Sequence, residues 1–101
     1  MQRYNYYHGT DTKESKVAHV DGIQTFGGGG ARDVLIEYNA IFDWGQGCMV
    51  ESSPHIGSVR NWTFRHNLYS SKSAAYRGAW GLDIIQTQGV TIEHNTFASI
   101  V

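Results

Sequence analysis

Three carboxylates, two amides and a set of aromatic and basic neighbours are the groups in this chain whose types and spacing could do chemistry. Asp21, Glu51 and Asp83 belong to three short apolar runs: Asp21-Gly22-Ile23-Gln24-Thr25, Cys48-Met49-Val50-Glu51-Ser52 and Asp83-Ile84-Ile85-Gln86-Thr87. If Ile23, Val50 and Ile85 point into a core, the two-residue period of a strand projects Gln24, Glu51 and Gln86 outward as one column. Asp21 and Asp83 then stand at strand starts in adjacent register, with Cys48 between them. Two carboxylates about 5–10 Å apart suit cleavage of a glycosidic bond. Proton abstraction beside a carboxylate instead needs a base, for which His19 is placed two residues before Asp21, and a cation such as Arg77 to stabilise the enolate. Gln24 and Gln86 supply amides for hydroxyls, Trp44 and Trp80 flat apolar planes, and Arg77 or His19 partners for acidic groups. The same residues also fit a solvated strand face with ordinary loop aromatics, and both readings stay open here.

Other chemistry-bearing residues carry less. His66 and His94 share a register, but two ligands without a third make a poor zinc site, and their phase is read as inward at a bend; no metal site is assigned. Gly27-Gly28-Gly29-Gly30 is followed by neither Lys-Ser/Thr nor a helix, so it reads as a loop excursion rather than a phosphate cradle. Asn61-Trp62-Thr63 matches a glycosylation acceptor. Cys48 is the single cysteine, which excludes an internal disulfide framework.

The elements that must position these groups are strands. Val, Ile, Thr, Tyr and Phe recur between turn residues, twelve glycines punctuate the chain, and no stripe of 3.6-residue period emerges. Three segments superpose: Val34-Leu35-Ile36-Glu37-Tyr38-Asn39-Ala40-Ile41, Trp62-Thr63-Phe64-Arg65-His66-Asn67-Leu68-Tyr69 and Val90-Thr91-Ile92-Glu93-His94-Asn95-Thr96-Phe97. Their asparagines stand at 39, 67 and 95, a spacing of 28 twice over. Apolar residues alternate with polar ones before each asparagine, and Ile41, Tyr69 and Phe97 rejoin the core two residues after it. A strand pair too short to close its own core must bury its apolar face by stacking on its neighbours. Stacking makes columns: Ile41-Tyr69-Phe97 inside, Asn39-Asn67-Asn95 at a bend, and Glu37-Arg65-Glu93 outside with alternating charge.

The fold predicted is therefore all-β: a right-handed parallel β-helix, or solenoid, of about three coils with variable loops, the hand following the general preference of parallel crossovers. The strand Val90-Thr91-Ile92-Glu93-His94-Asn95 resembles the repeat of the pectate-lyase-like superfamily of right-handed parallel β-helices. His19-Val20-Asp21-Gly22-Ile23-Gln24 is similar to a His-x-Asp-Gly-x-Gln strand of secreted β-helix proteins that act on polysaccharide. The resemblance covers residues 17–101 and implies an extracellular, carbohydrate-active protein of lyase or glycoside hydrolase type, with a polysaccharide or oligosaccharide as partner. The paired-aspartate and Gly-His-Gly motifs of polygalacturonase-type hydrolases are not found. A Ca2+ cofactor stays open, because no set of convergent oxygen ligands stands out. The alternative implied by the same superfamily is a non-catalytic sugar-binding or structural module of an adhesin or tail fibre.

The bulk numbers exclude other classes. A formal charge of −1 on 101 residues lacks the basic excess that a phosphate backbone demands, so nucleic acid is not the expected partner. No apolar stretch approaches the ~20 residues of a membrane span. Met1-Gln2-Arg3-Tyr4-Asn5-Tyr6-Tyr7 lacks the apolar segment of a secretory leader. Residues 1–16 show no clear repeat and are set apart as an N-terminal segment or cap, with 17–101 as the coils. Exposed solenoid ends make self-association a further expectation.

Overall fold

The computed structural model describes residues 1–8, 21–25, 30–42, 46–52, 58–70 and 81–98. Within them lie eleven strands and no helix: β1 Gln2–Arg3, β2 Tyr6–His8, β3 Asp21–Thr25, β4 Arg32–Glu37, β5 Ala40–Phe42, β6 Gln46–Glu51, β7 Arg60–Arg65, β8 Leu68–Ser70, β9 Leu82–Ile85, β10 Thr91–Glu93 and β11 Thr96–Ala98. They form three sheets with all pairings parallel. Sheet A runs β1-β4-β7-β10, sheet B runs β2-β5-β8-β11, and sheet C runs β3-β6-β9. The chain therefore visits A, B and C in a fixed cycle, and every strand pairs with its counterpart from the cycle before. Among the described residues no helix is long and apolar enough to cross a membrane.

The predicted columns form in sheets A and B. Val34 pairs with Trp62, Ile36 with Phe64 and Ile41 with Tyr69, and the register of 28 continues through Phe64 to Ile92 and Tyr69 to Phe97. Ile36, Phe64, Ile41 and Tyr69 are buried together with Cys48, Val50, Val59 and Trp62 in one core. Tyr69 stacks on Phe97 with centroids 4.8 Å apart. Burial in the core pushes the Tyr69 hydroxyl far above its ordinary pKa, with Cys48 adding to the effect. The columns lose cover at their far end, where Ile92 is 52% and Phe97 48% exposed.

Between sheets A and B the backbone bends at Tyr4, Tyr38, His66 and His94, all at φ of 52–57°. L-residues enter this left-handed region at a cost of roughly 1–2 kcal/mol each, so the following asparagines have to compensate. Asn39 and Asn67 are buried, and each link of their ladder repeats. The backbone N–H and Nδ2 of Asn39 both donate to Oδ1 of Asn67, at 3.0 and 3.1 Å. Asn67 treats Asn95 the same way, at 2.9 Å for both bonds. Nδ2 also reaches back to the preceding strand, to Ile36 O from Asn67 and to Phe64 O from Asn95.

Where the sequence sets residues 1–16 apart without a repeat, the structure gives the ladder a fourth rung. Asn5 donates from its backbone N–H and its Nδ2 to Asn39 Oδ1, and Tyr6-Tyr7-His8 pairs with Ala40-Ile41-Phe42. A second correction concerns His66 and His94. Their rings point outward: both are exposed, and they continue a stack from Tyr4 and Tyr38 with centroids 5.4, 4.8 and 5.1 Å apart. The left-handed φ turns each of these side chains away from the core just before the asparagine turns in.

The outer charge column also extends by one member, Arg3-Glu37-Arg65-Glu93. The expected exposed pairs include a buried group. Glu37 has no exposed surface and lies between Arg3 and Arg65, with Arg65 Nε 2.6 Å from Oε2. Burial alone would raise the Glu37 carboxyl, but hydrogen bonds from Arg65 and Arg3 outweigh it and hold the group below its ordinary range. The same bond to Glu37 raises Arg65.

A carboxyl whose folded pKa lies below its unfolded value contributes stability above the unfolded pKa and loses it as pH falls through the folded one. Urea melts of the wild type should therefore weaken as pH drops from about 4.5 downward. Glu37→Gln should be weaker at neutral pH and show a flatter acid limb. Asn67→Ala removes the acceptor of the Asn39 N–H and of one of the two Asn39 Nδ2 bonds, together with the side-chain donor to the Ile36 carbonyl. At roughly 1–3 kcal/mol per stranded group, it should lower unfolding free energy by about 3 kcal/mol or more, and half-exposed Asn95→Ala by less.

Candidate functional site

Sheet C carries most of the candidate residues that fall within the described segments. Cys48 and Val50 of β6 are buried in the core, and Ile23, Leu82 and Ile84 pack against them. Period-two alternation then puts Gln24, Met49, Asp83, Glu51 and Ile85 on the outward face. Gln24 is exposed, whereas Glu51, Asp83 and Ile85 are half-buried.

The register differs from the one the sequence suggests. Ile23 pairs with Cys48 and Gln24 with Met49, while Cys48 pairs with Leu82, Met49 with Asp83 and Glu51 with Ile85. The expected column Gln24-Glu51-Gln86 does not form; the column is Gln24-Met49-Asp83. Asp21 pairs with Gln46 rather than aligning with Cys48, so Asp21 and Asp83 are not equivalent positions. Gln86 follows β9 at φ 54°, exposed and off the strand face. His19, Trp44, Arg77 and Trp80 lie outside the described residues.

Two features of the sequence explain the slip. Asp83-Ile84-Ile85-Gln86 holds two consecutive apolar residues, so alternation permits either phase, and a one-residue shift exchanges the faces. The structure turns Ile84 inward and Ile85 outward. The actual register follows glycines. A Cβ on Gly47 would fall on the carbonyl oxygen of Gly81, and one on Gly22 would sit 3.0 Å from the carbonyl oxygen of Gly47. Cys48 N donates to that Gly81 oxygen at 2.9 Å. Backbones this close leave no room for a side chain, so Gly22, Gly47 and Gly81 must meet; their unequal spacing along the chain hides the match.

The resulting face brings together part of the predicted set. Glu51 and Asp83 are diagonal neighbours on adjacent strands, which a strand spacing of ~4.8 Å and a rise of ~3.3 Å per residue put roughly 8 Å apart at Cα. At that backbone separation on a shared face, two side-chain carboxylates can flank one glycosidic bond. Gln24 Nε2 lies 3.5 Å from Met49 Sδ, so its amide oxygen remains available to a ligand hydroxyl. Half-buried Ile85 supplies apolar surface beside the polar groups, whereas Met49 is itself buried. Among the described residues no group of three His, Cys, Asp or Glu converges as a metal site.

A second exposed feature lies outside the period of 28. Tyr6 stacks on His8 at 4.6 Å and meets Phe42 edge-on at 5.4 Å on the outer side of sheet B. The signal was Tyr4-Asn5 repeating Tyr38-Asn39, at a spacing of 34 rather than 28. Asn61, of the acceptor pattern, donates from Nδ2 to Asp33 Oδ1 at 3.0 Å.

Paired cysteines test the sheet C register. With Cys48→Ser, Met49→Cys plus Asp83→Cys should oxidise readily to an intramolecular disulfide, because both side chains share a face at neighbouring-strand distance. Glu51→Cys plus Gln86→Cys should not, and the reverse result would restore the register suggested by the sequence. No family model matches the chain, and no curated protein or solved structure matches it either.

Proposed function

We propose that the A-B-C cycle is a right-handed parallel β-helix of the pectate-lyase-like kind, and that the chain belongs to an extracellular carbohydrate-active protein binding polysaccharide along the outward face of sheet C. The observation that carries this reading is the grouping of Glu51, Asp83 and Gln24 on one strand face with Met49 and Ile85 among them. Carboxylates and an amide bind sugar hydroxyls, and the partly exposed Ile85 side chain takes the C–H face of a pyranose ring. Strands held in register by the close backbone contacts of Gly22, Gly47 and Gly81 keep such groups at fixed separations, which lowers the ordering cost of binding an extended chain. The diagonal carboxylate pair further supports hydrolysis of a glycosidic bond, with one group as acid and the other as base.

A non-catalytic module of an adhesin or tail fibre is the second reading. The unbroken Asn, aromatic and charge columns favour it, because they are what a stiff, repetitive scaffold requires.

A polysaccharide panel assayed for binding and for new reducing ends separates the two. Gln24→Ala and Asp83→Asn should each weaken binding by about tenfold, the worth of roughly one or two lost hydrogen bonds. Under the hydrolytic reading Glu51→Gln should abolish turnover while leaving binding within a few-fold. Binding without turnover selects the second reading, and binding to no member of the panel overturns both.

A further inference from the structure

The two ends of the cycle differ, and they match each other. At one end β10 and β11 have neighbours on one side only among the described residues, and Ile92 and Phe97 are about half exposed. At the other end β1, β2 and β3 likewise have neighbours on one side only among the described residues. We propose that the first end docks on the second end of another copy of this chain, so that the copies add head to tail in register. This docking is independent of whichever function the sheet C face performs.

Each column that reaches the first end resumes with a suitable residue at the second. The charge column ends on Glu93 and begins on Arg3, so a second copy continues the alternation Arg65-Glu93-Arg3-Glu37 without placing like charges together. The outer ring stack ends on His94 and begins on Tyr4, over whose ring the Arg3 guanidinium lies 5.6 Å from the centroid. The interior column ends on Phe97 and begins on Tyr7, which gives aromatic over aromatic as in Tyr69 on Phe97.

The asparagine ladder is directional, and its ends are complementary. Every internal rung donates its backbone N–H and Nδ2 to the Oδ1 of the next. At Asn95 the two donors point toward the rung that would follow, and at Asn5 the Oδ1 faces the rung that would precede. The backbone obeys the same rule. Ala40 N donates to Asn5 O, Leu68 N to Asn39 O and Thr96 N to Asn67 O, each at 2.8–2.9 Å. The next bond in the series runs from Tyr6 N of the second copy to Asn95 O. Sheet C follows, with β3 of the second copy laid along β9.

Such a contact is heterologous: it uses two different surfaces and leaves both outer ends free, so it propagates as an open filament rather than closing as a dimer. Its sign in solution is mass that grows with concentration. Blocking either end alone should stop growth. Phe97→Lys puts a charge on the first end, and Tyr6→Pro removes the backbone donor from the second.

Sedimentation velocity from micromolar to millimolar chain tests this, with circular dichroism confirming that each variant keeps the strand spectrum. Wild type is expected to form a concentration-dependent series of oligomers, and each variant alone a monomer. An equimolar mixture of the two variants is expected to give a dimer and nothing larger, because both outer ends of that dimer are blocked. Exposed Glu93→Arg, which leaves the core untouched, should weaken wild-type association several-fold by facing Arg3 of the next copy. A wild type that stays monomeric throughout overturns the proposal, as does a blocked variant that associates like wild type. If Asn95 amide protons then exchange as slowly as those of Asn67 in that monomer, another segment of the same chain covers the edge.

Discussion

The constraint on which this molecule depends is that buried asparagine amides must find partners one cycle away. A buried amide left unpaired costs on the order of 1–3 kcal/mol, and Asn39 and Asn67 are both buried. Each finds its acceptor only if the next cycle sits directly above it with its own asparagine in line. The ladder therefore sets the register of sheets A and B, and through register it sets which apolar side chains meet inside. It also compensates the left-handed backbone at Tyr4, Tyr38, His66 and His94, because the bend that strains the chain is the one that turns each asparagine inward.

What surrounds the ladder follows from stacking like on like. Columns of apolar residues are favourable at any height, whereas columns of charge are favourable only if the sign alternates. Arg3, Glu37, Arg65 and Glu93 satisfy that condition, and Glu37 can be covered because cations lie above and below it. The outer rings satisfy a weaker condition: near-parallel planes within 20° of one another, at centroid separations close to the strand spacing. Sheet C supplies the face on which acidic, amide and apolar groups meet.

Sheet C obeys a different rule from sheets A and B. It contains no asparagine ladder, and the chain enters it by connections of unequal length, so no fixed period constrains its register. The close approach of Gly47 to Gly81 takes over that task. The consequence is chemical as well as structural. Asp83 pairs with Met49 and not with Cys48, and Glu51 comes to lie diagonal to Asp83, a pairing that converts scattered carboxylates into neighbours.

The sequence by itself determined the three copies around Asn39, Asn67 and Asn95, the alternation before them and the charge column, since a constant spacing of 28 makes each such residue predict its partner. It also determined which residue types could serve as a site. Tertiary structure alone decided the rest. Unequal loops shift register without changing composition, so the alignment of sheet C could not be read from Asp21-Gly22-Ile23-Gln24 and Asp83-Ile84-Ile85-Gln86, alike as they look. The rung at Asn5 lies 34 residues from Asn39 and so falls outside the period of 28. The outward turn of His66 and His94 depended on a positive φ, and the burial of Glu37 on two arginines from other cycles; neither is a property of a residue's own neighbours in the chain.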